Sequence, residues 1–392
     1  MLDRVGQRLL AQDVKDNLDD ITTKLGGLAS LGIAYLSGYA GTTVVDDLTA
    51  KVTFKQPNAS FLQASSTPSL GLISEASLKK TPAQRCSTGV VGSGPFTLAG
   101  HVPNQSITLA NRKGYDWGSV PFKKKGAAYL DKVVFKIVPE NGVRTGSLRS
   151  GQVDLIAGLI RSDEAALASS GQVLRTVTLS GTNALWINHA APLVKDVKIR
   201  QALMYGINRQ DLVSLFPSGT TPATSILSPT TPGYSDESSL VSYDPAKAKA
   251  LLDADGWKVG GDGIRTKDGR PLSISIGNPG AISSVSPELE LIQQQLKEIG
   301  VKITIKEIPV AAVNEVQQSG AYDILVASAQ RPDADILRTQ FSTKLVNSYN
   351  SRRVRSTPCS TSRTRPPTRP SAPSSSRRPS GSSWATPTSS PW

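Results

Sequence analysis

Leu272-Ser273-Ile274-Ser275-Ile276, the stretch Pro287 to Ile299, Val301-Lys302-Ile303-Thr304-Ile305, the stretch Val310 to Gln318, and Tyr322 to Ser328 follow one another in a single run, and their reading decides the fold. The first, third and fifth pieces are short, apolar and rich in β-branched residues, and read as strands. The second carries Leu289, Ile292 and Leu296 at three- and four-residue steps, the apolar stripe of a helix, and Gly300 stops it. The fourth reads as another helix. Strand-helix-strand-helix-strand predicts parallel pairing with right-handed crossovers, hence an α/β unit.

Upstream the same alternation of elements recurs. Val14, Leu18, Ile21 and Leu25 give the segment Gln12–Leu25 one buried helical stripe. Thr42 to Phe54 reads as a half-buried strand, with Leu48, Ala50, Val52 and Phe54 on one side, closed by Gln56-Pro57-Asn58. Gly92-Ser93-Gly94-Pro95 is a turn into a strand carrying Phe96, Leu98, Ile107 and Leu109. Leu130–Val138 is a further strand, Asn141–Arg149 a short helix and Val153–Ile156 a short buried strand. Val194–Phe216 holds a long helix with Ile199, Ala202, Leu203 and Ile207 on one face. Between Pro217 and Pro245 the chain reads as an ordered loop or hinge crossing. No internal repeat recurs at a fixed period.

Charge and composition narrow the function classes. The net charge of +13 invites a nucleic-acid reading, but residues 351–392 hold eight arginines, no lysine and no acid. The remaining 350 residues carry 36 basic and 31 acidic side chains, so the body has no strong basic bias. The tail is Arg-, Ser- and Pro-rich, cannot bury enough apolar surface to offset its ordering entropy, and is expected to be disordered. A nucleic-acid partner acting through that tail is the weaker reading, since no aromatic precedes Trp384 to offer a stacking platform. Cys86 and Cys359 lie in unlike segments and read as unpaired; with His101 and His189 they make no metal-ligand spacing. No apolar run approaches the ~18 residues that cross a bilayer, and the N-terminus has no stretch that reads as a signal peptide.

Catalytic signatures are weak. Gly92-Ser93-Gly94 has neither nucleophile-elbow nor phosphate-loop spacing and reads as a turn. Neither histidine has the local context of a triad base. Asp333 and Asp335 follow the last strand of the α/β run, at the end where open sheets present groups to a ligand. They could bind a metal or a ligand amine, or be solvated loop acids. Trp117, Trp186 and Trp257 could line a pocket or simply pack.

Several stretches, in order, resemble family 5 of the solute-binding proteins, the group of oligopeptide, dipeptide and nickel receptors. They are Ala11-Gln12-Asp13-Val14-Lys15, Asp47 to Phe54 with Pro57, Gly92-Ser93-Gly94-Pro95-Phe96, Asn111 with Tyr115-Asp116-Trp117-Gly118, Ser150-Gly151-Gln152-Val153-Asp154, Asp196 to Leu203 with Ile207-Asn208-Arg209, Ile299 to Ile303, and Tyr322-Asp323-Ile324. The resemblance implies an α/β, two-lobed, type II periplasmic-binding-protein-like architecture. Its expected parts are a remnant of the N-terminal subdomain of lobe one at 1–90, a lobe-one core at 91–215, a βαβαβ lobe two at 216–345 and the tail at 346–392.

It implies a protein that does no bond chemistry, so no enzyme and no cofactor are expected, and the Cys and His spacing leaves no metal site expected. The expected protein is a monomer outside the cytoplasm that captures a peptide or related small solute between its lobes and hands it to an ABC permease in the membrane. Pro332-Asp333-Ala334-Asp335 is similar to the loop with which the family's peptide receptors anchor a ligand ammonium, which makes Asp333 the first candidate and Asp335 the second. Trp117 and Trp186 are the candidate walls of the cleft. Against the family pattern, the chain lacks the export signal and the residues that precede the Ala11 segment, and the match stops near Asn350. Truncation or a shifted reading frame at both ends, an incomplete first lobe and a non-functional fragment are the corresponding expectations.

Limited proteolysis is expected to remove residues 351–392 early and leave a body of about 350 residues, because a segment with so little apolar surface has no core to join. Protection of the tail equal to that of the core is the contrary result.

Overall fold

A computed structural model describes residues 9–351 except 119–122, 124–125, 175–180, 280–285, 310–311, 332, 344–346 and 348. The Arg-rich tail from 352 onward lies outside the described residues, so the expectation of disorder there concerns a segment not described.

The decisive run folds as read. The strands Ser273–Pro279, Lys302–Ile308 and Ile324–Gln330 pair in parallel, with Ser273–Pro279 in the middle. The helices Ser286–Glu298 and Val313–Ser319 connect them. Ile274 and Ile276 are almost wholly buried, as are Leu289 and Leu296 on the first helix. Gly300 closes that helix at φ +86°, a left-handed conformation that costs a residue with a Cβ. On the other face of the central strand a Cβ at Gly277 would lie 2.5 Å from Ile308 Cδ1 and 3.3 Å from Leu325 Cδ1. Glycine there lets both side chains settle directly on the backbone.

Register is fixed by polar ties as well as by packing. The Asp323 carboxylate accepts from Ser275 N (2.9 Å) and Ser275 Oγ (2.7 Å), joining the start of the last strand to the central one. The buried Asn188 side chain donates to the carbonyls of Gly320 and Tyr322.

A fourth strand, Gly181–Ile187, adds antiparallel to Ile324–Gln330. Leu185 and Ile187 face one side with Ile324 and Val326; Trp186 faces the other with Leu325, as period-two alternation requires. Helix Val197–Gly206 buries Ile199, Ala202 and Leu203 in the same core as Ile274, Leu296 and Leu252, the last from helix Pro245–Ala254. Residues 181–213, grouped with 91–180 in the sequence reading, therefore pack on the four-stranded sheet. Strand Gly181–Ile187 hydrogen-bonds to a strand about 140 residues later in the chain.

Three local expectations need correction. Thr42–Phe54 is a hairpin, Tyr39–Asp46 against Thr49–Phe54, because Asp47-Leu48 turns the chain and Asp46 Oδ1 accepts from Leu48 N. The long helix in Val194–Phe216 is two helices, Val197–Gly206 and Arg209–Val213; Ile207 leaves the helical region, and the Asn208 side chain caps the second. Val153–Ile156 is not a strand: the Val153 N–H turns back to the Ser147 carbonyl (3.3 Å), and Leu155 is 79% exposed.

The N-terminal unit forms its own core, with Leu18, Ile21, Tyr35, Leu36, Ala64 and Leu70 beneath the hairpin. Helix Ala11–Asp20 continues as a wider π turn, Ile21–Leu25. The buried Asp20 carboxylate receives two hydrogen bonds from Arg85 (2.7 and 2.9 Å), which tie this helix to helix Pro82–Thr88. A separate antiparallel sheet follows, Phe96–Val102, Ser106–Asn111 and Lys132–Lys136, on which Val102, Val134 and Phe135 remain exposed.

Leu296→Ala should destabilise the chain by about 2–5 kcal/mol in urea unfolding, since the side chain is wholly buried among the helix-sheet contacts. Val102→Ala, at an exposed position, should change stability by less than about 0.5 kcal/mol.

Candidate functional site

The last parallel strand, Ile324–Gln330, delivers a short loop and then helix Ile336–Phe341. Backbone geometry places five polar residues of this segment together: Arg331, Asp333, Asp335, Arg338 and Thr339. Asp333 organises the turn, its Oδ1 accepting from Asp335 N at 2.6 Å and its carbonyl accepting from Ile336 N at 3.2 Å. That opens the helix and points Asp335 inward, where it is 8% exposed.

A buried carboxylate must be paired, and this one is paired heavily. Arg338 donates through Nε to Asp335 Oδ1 (2.6 Å) and through Nη2 to Oδ2 (2.7 Å), a bidentate fork. Arg331 Nη1 donates to Asp335 Oδ2 (3.4 Å) and to Thr339 Oγ1 (3.0 Å).

The N-terminal unit closes the cluster. Ser60 Oγ donates to Asp335 Oδ2 at 3.3 Å across 275 residues of sequence, and Arg338 Nη1 donates to Ser37 Oγ at 3.1 Å. The Arg331 guanidinium lies 4.3 Å from the Tyr35 ring centroid, a cation–π contact. The N-terminal unit and the end of the four-stranded sheet are thus joined through one buried ionic cluster. Beside it, on the N-terminal unit, an open hollow of about 470 Å³ is bordered by Ser37, Tyr39, Asp19 and Lys55. Burial pushes the Tyr39 phenol up to about 12, and its hydroxyl donates to Asp19 Oδ1 at 2.8 Å.

The four residues singled out from sequence are not brought together. Asp333 and Asp335 share the loop. Trp186 pairs in register with Leu325, five residues before Gln330, so it sits about 17 Å back along the strand at ~3.4 Å per residue. It packs with Ile308, Tyr322 and Leu325, near Tyr349, and its buried indole N–H has no hydrogen-bond partner among the described residues. Trp117 packs on Tyr115 and donates its indole N–H to the Ser93 carbonyl (2.8 Å). Arg112 donates to the Gly92 and Gly94 carbonyls at 2.6 and 2.7 Å. The Gly92-Ser93-Gly94 turn is therefore held by Trp117 and Arg112, a structural use of both. Trp257 is core, its indole N–H donating to Asp255.

Sequence reading missed Arg331 and Arg338. The available signal was Arg338 three residues after Asp335 at a helix start, a spacing that lets the two side chains meet. Among the described residues no group of three or more His, Cys, Asp or Glu side chains is placed to hold a metal ion, and no helix is long and apolar enough to cross a membrane. Cys86 is exposed and free.

Comparison with known proteins places this architecture. The family described as bacterial extracellular solute-binding proteins, family 5 Middle, matches residues 6–345. The chain belongs to this family. The glutathione-binding protein GsiB of Salmonella paratyphi A is 30% identical over 298 residues, covering 75% of this chain and 54% of that protein. The nickel-binding periplasmic protein of Escherichia coli K12 is 26% identical over 283 residues, covering 70% and 52%. The chain thus spans about half the length of the curated relatives it matches. Among solved structures, the oligopeptide-binding protein AppA of Bacillus subtilis, in complex with a nonapeptide, superposes with a TM-score of 0.72 at 21% identity, over 90% of this chain and 71% of that one. The fold is that of the family 5 receptors, a mixed α/β type II periplasmic-binding-protein architecture. The family 5 relatives matched here are named as binding proteins.

Asp335→Asn should destabilise the protein by about 3–5 kcal/mol in chemical denaturation, because it leaves two buried guanidiniums without their shared counter-charge. Asp333→Asn keeps an acceptor for the Asp335 N–H and should cost less than about 1 kcal/mol.

Proposed function

We propose that this chain is the solute-capturing component of an ABC importer. In this reading it holds a peptide or a related small solute between two lobes, outside the cytoplasm, and presents it to a membrane permease. The family match over residues 6–345 carries the reading. The chain acts as a monomer, does no bond chemistry, and uses no cofactor, metal or nucleic acid. The second lobe comprises the four-stranded sheet and its helices, including residues 181–213; the N-terminal unit and the three-stranded sheet belong to the first.

Within the loop after Gln330, Asp333 is the proposed anchor for a ligand ammonium. It lies at the C-terminal end of the parallel strands and is partly buried, whereas the Asp335 carboxylate is already held by Arg338 and Arg331. Asp335 is thus the support of the loop, and Trp117 and Trp186 are framework behind the cleft. A carboxylate that meets an ammonium away from bulk water gains charge-assisted hydrogen bonds.

Calorimetry with trialanine and its N-acetylated form tests the anchor on the 392-residue chain. Asp333→Asn should weaken trialanine binding by about 2–4 kcal/mol, as expected when one partner of a desolvated charge pair is neutralised. Acetylation should remove most of the binding in the parent chain and change little in the variant. Equal binding of acetylated and free peptide by the parent places the ammonium elsewhere and leaves Asp333 a turn-forming residue.

A further inference from the structure

Residues 347 and 349–351 lie against His189, two residues beyond strand Gly181–Ile187. The His189 backbone N–H donates to the Tyr349 carbonyl at 2.9 Å, and the His189 ring Nδ1 lies 3.1 Å from Ser351 Oγ. The Tyr349 ring stacks on Phe341 (centroids 4.8 Å apart) and sits 6.0 Å from both the His189 and the Trp186 rings.

The segment is a turn fixed by asparagine. Asn347 and Asn350 take left-handed backbone angles, φ +49° and +47°. The Asn347 side chain donates to the Ser351 carbonyl and accepts from the Ser351 N–H, both at 3.0 Å. Glycine at 320 makes room beside the turn, since a Cβ there would lie 3.0 Å from Asn350 Nδ2. The imidazole therefore meets a preformed surface.

The ring stands where a proton has no counter-charge. Among the described residues the charge that acts on it is the Arg200 guanidinium, from helix Val197–Gly206. Neighbouring carboxylates are engaged elsewhere: Asp323 accepts from Ser275, and Asp196 caps helix Val197–Gly206 and faces Arg200. Lys195, on the same connection, is exposed. Burial pushes the Tyr349 phenol up to about 12, so it stays neutral. Residues 351–392 hold no acid, and Arg352 and Arg353 come directly after Ser351 in the sequence. A protonated imidazole here adds one positive charge beside another, partly out of water.

We propose that His189 is a pH-sensitive clasp on residues 347–351: the neutral imidazole holds the turn, and protonation releases it. The Ser351 hydroxyl can bond either form of the ring, so the switch lies in charge and burial rather than in that hydrogen bond. Burial first, and Arg200 second, hold the docked imidazole below the ordinary histidine range. Once released, the ring meets water and takes up a proton near the ordinary value of about 6.5. The released form thus binds the proton more tightly. Docking is favoured above about pH 6.5 and weakens as pH falls through that value toward the lower docked one. The clasp acts on this turn whatever solute the chain captures.

The test reads the His189 backbone N–H, whose acceptor belongs to the clasped turn. Hydrogen exchange is followed on the 392-residue chain at about pH 7.5 and about pH 5, each corrected for the intrinsic rate. Protection should fall ~3-fold or more at the lower pH, while the amides of strand Ser273–Pro279 keep theirs. His189→Gln retains a donor and an acceptor for Ser351 but does not titrate, and should show no such fall.

Proton NMR of the histidine rings gives a second reading on the parent, which stands even if His189→Gln fails to fold. The sequence holds two histidines, and His101→Gln identifies the other. His189 should titrate below about 6.5. Equal protection at both pH values in the parent, a fall that persists in His189→Gln, or a His189 titration at or above the ordinary value overturns the clasp. A fall shared by strand Ser273–Pro279 also overturns it, because the sheet and not the turn has then opened.

Discussion

The strand Ser273–Pro279 has to satisfy both edges and bury both faces, and the rest of the fold answers that demand. Parallel neighbours on each side take up its backbone hydrogen bonds. Ile274 and Ile276 require a helical layer on one face, supplied by helices Ser286–Glu298 and Val197–Gly206. Gly277 admits Ile308 and Leu325 on the other. Because parallel strands need crossover connections, the C-terminal ends of all three strands fall on one side of the sheet. That alignment carries the Arg331–Asp335 loop to the N-terminal unit.

The ionic cluster at that meeting point is held by polar contacts. Among the described residues the cluster joins the two parts through Ser60 and Ser37, which hydrogen-bond the ion pair, and Tyr35, stacked on Arg331. Each is a single directional interaction rather than a broad apolar interface. By contrast, the core around Leu252, Leu296 and Ile276 is continuous and close packed. The cation–π contact and the hydrogen bonds to Ser37 and Ser60 are together worth less than the burial of two or three large apolar side chains.

Much of the family 5 architecture was legible before any coordinates. The apolar periodicity of 272–328 is strong because Ile274, Ile276, Ile303, Ile324 and Val326 share one buried core with Leu289 and Leu296, and a shared core leaves little freedom in residue choice. Gly300 was legible as a stop because a left-handed C-terminus selects glycine. Helix Asn141–Arg149 and the turn at Gly92–Pro95 were legible for similar local reasons. The hairpin at Asp47-Leu48 was not, since its turn lacks the usual glycine or proline and the alternation of apolar residues runs through it. Gly181–Ile187 was not either: it is defined by pairing with a strand far along the chain, and nothing local announces the partner.

The loop acids show the same division. Sequence by itself determined that Asp333 and Asp335 would follow the last parallel strand and so lie at the C-terminal end of the sheet, because strand direction fixes which end a following loop occupies. Only the tertiary structure decided what each does. Asp335 is committed to Arg338 and Arg331 because Ser60, 275 residues away, and the Tyr35 ring close over them and remove the water that would otherwise solvate the charges. The burial of Arg331 Nε and Nη2 without a hydrogen-bond partner among the described residues is likewise a product of that closure. An exposed arginine at the same position would have its N–H groups hydrated, and the sequence contains nothing that tells one from the other.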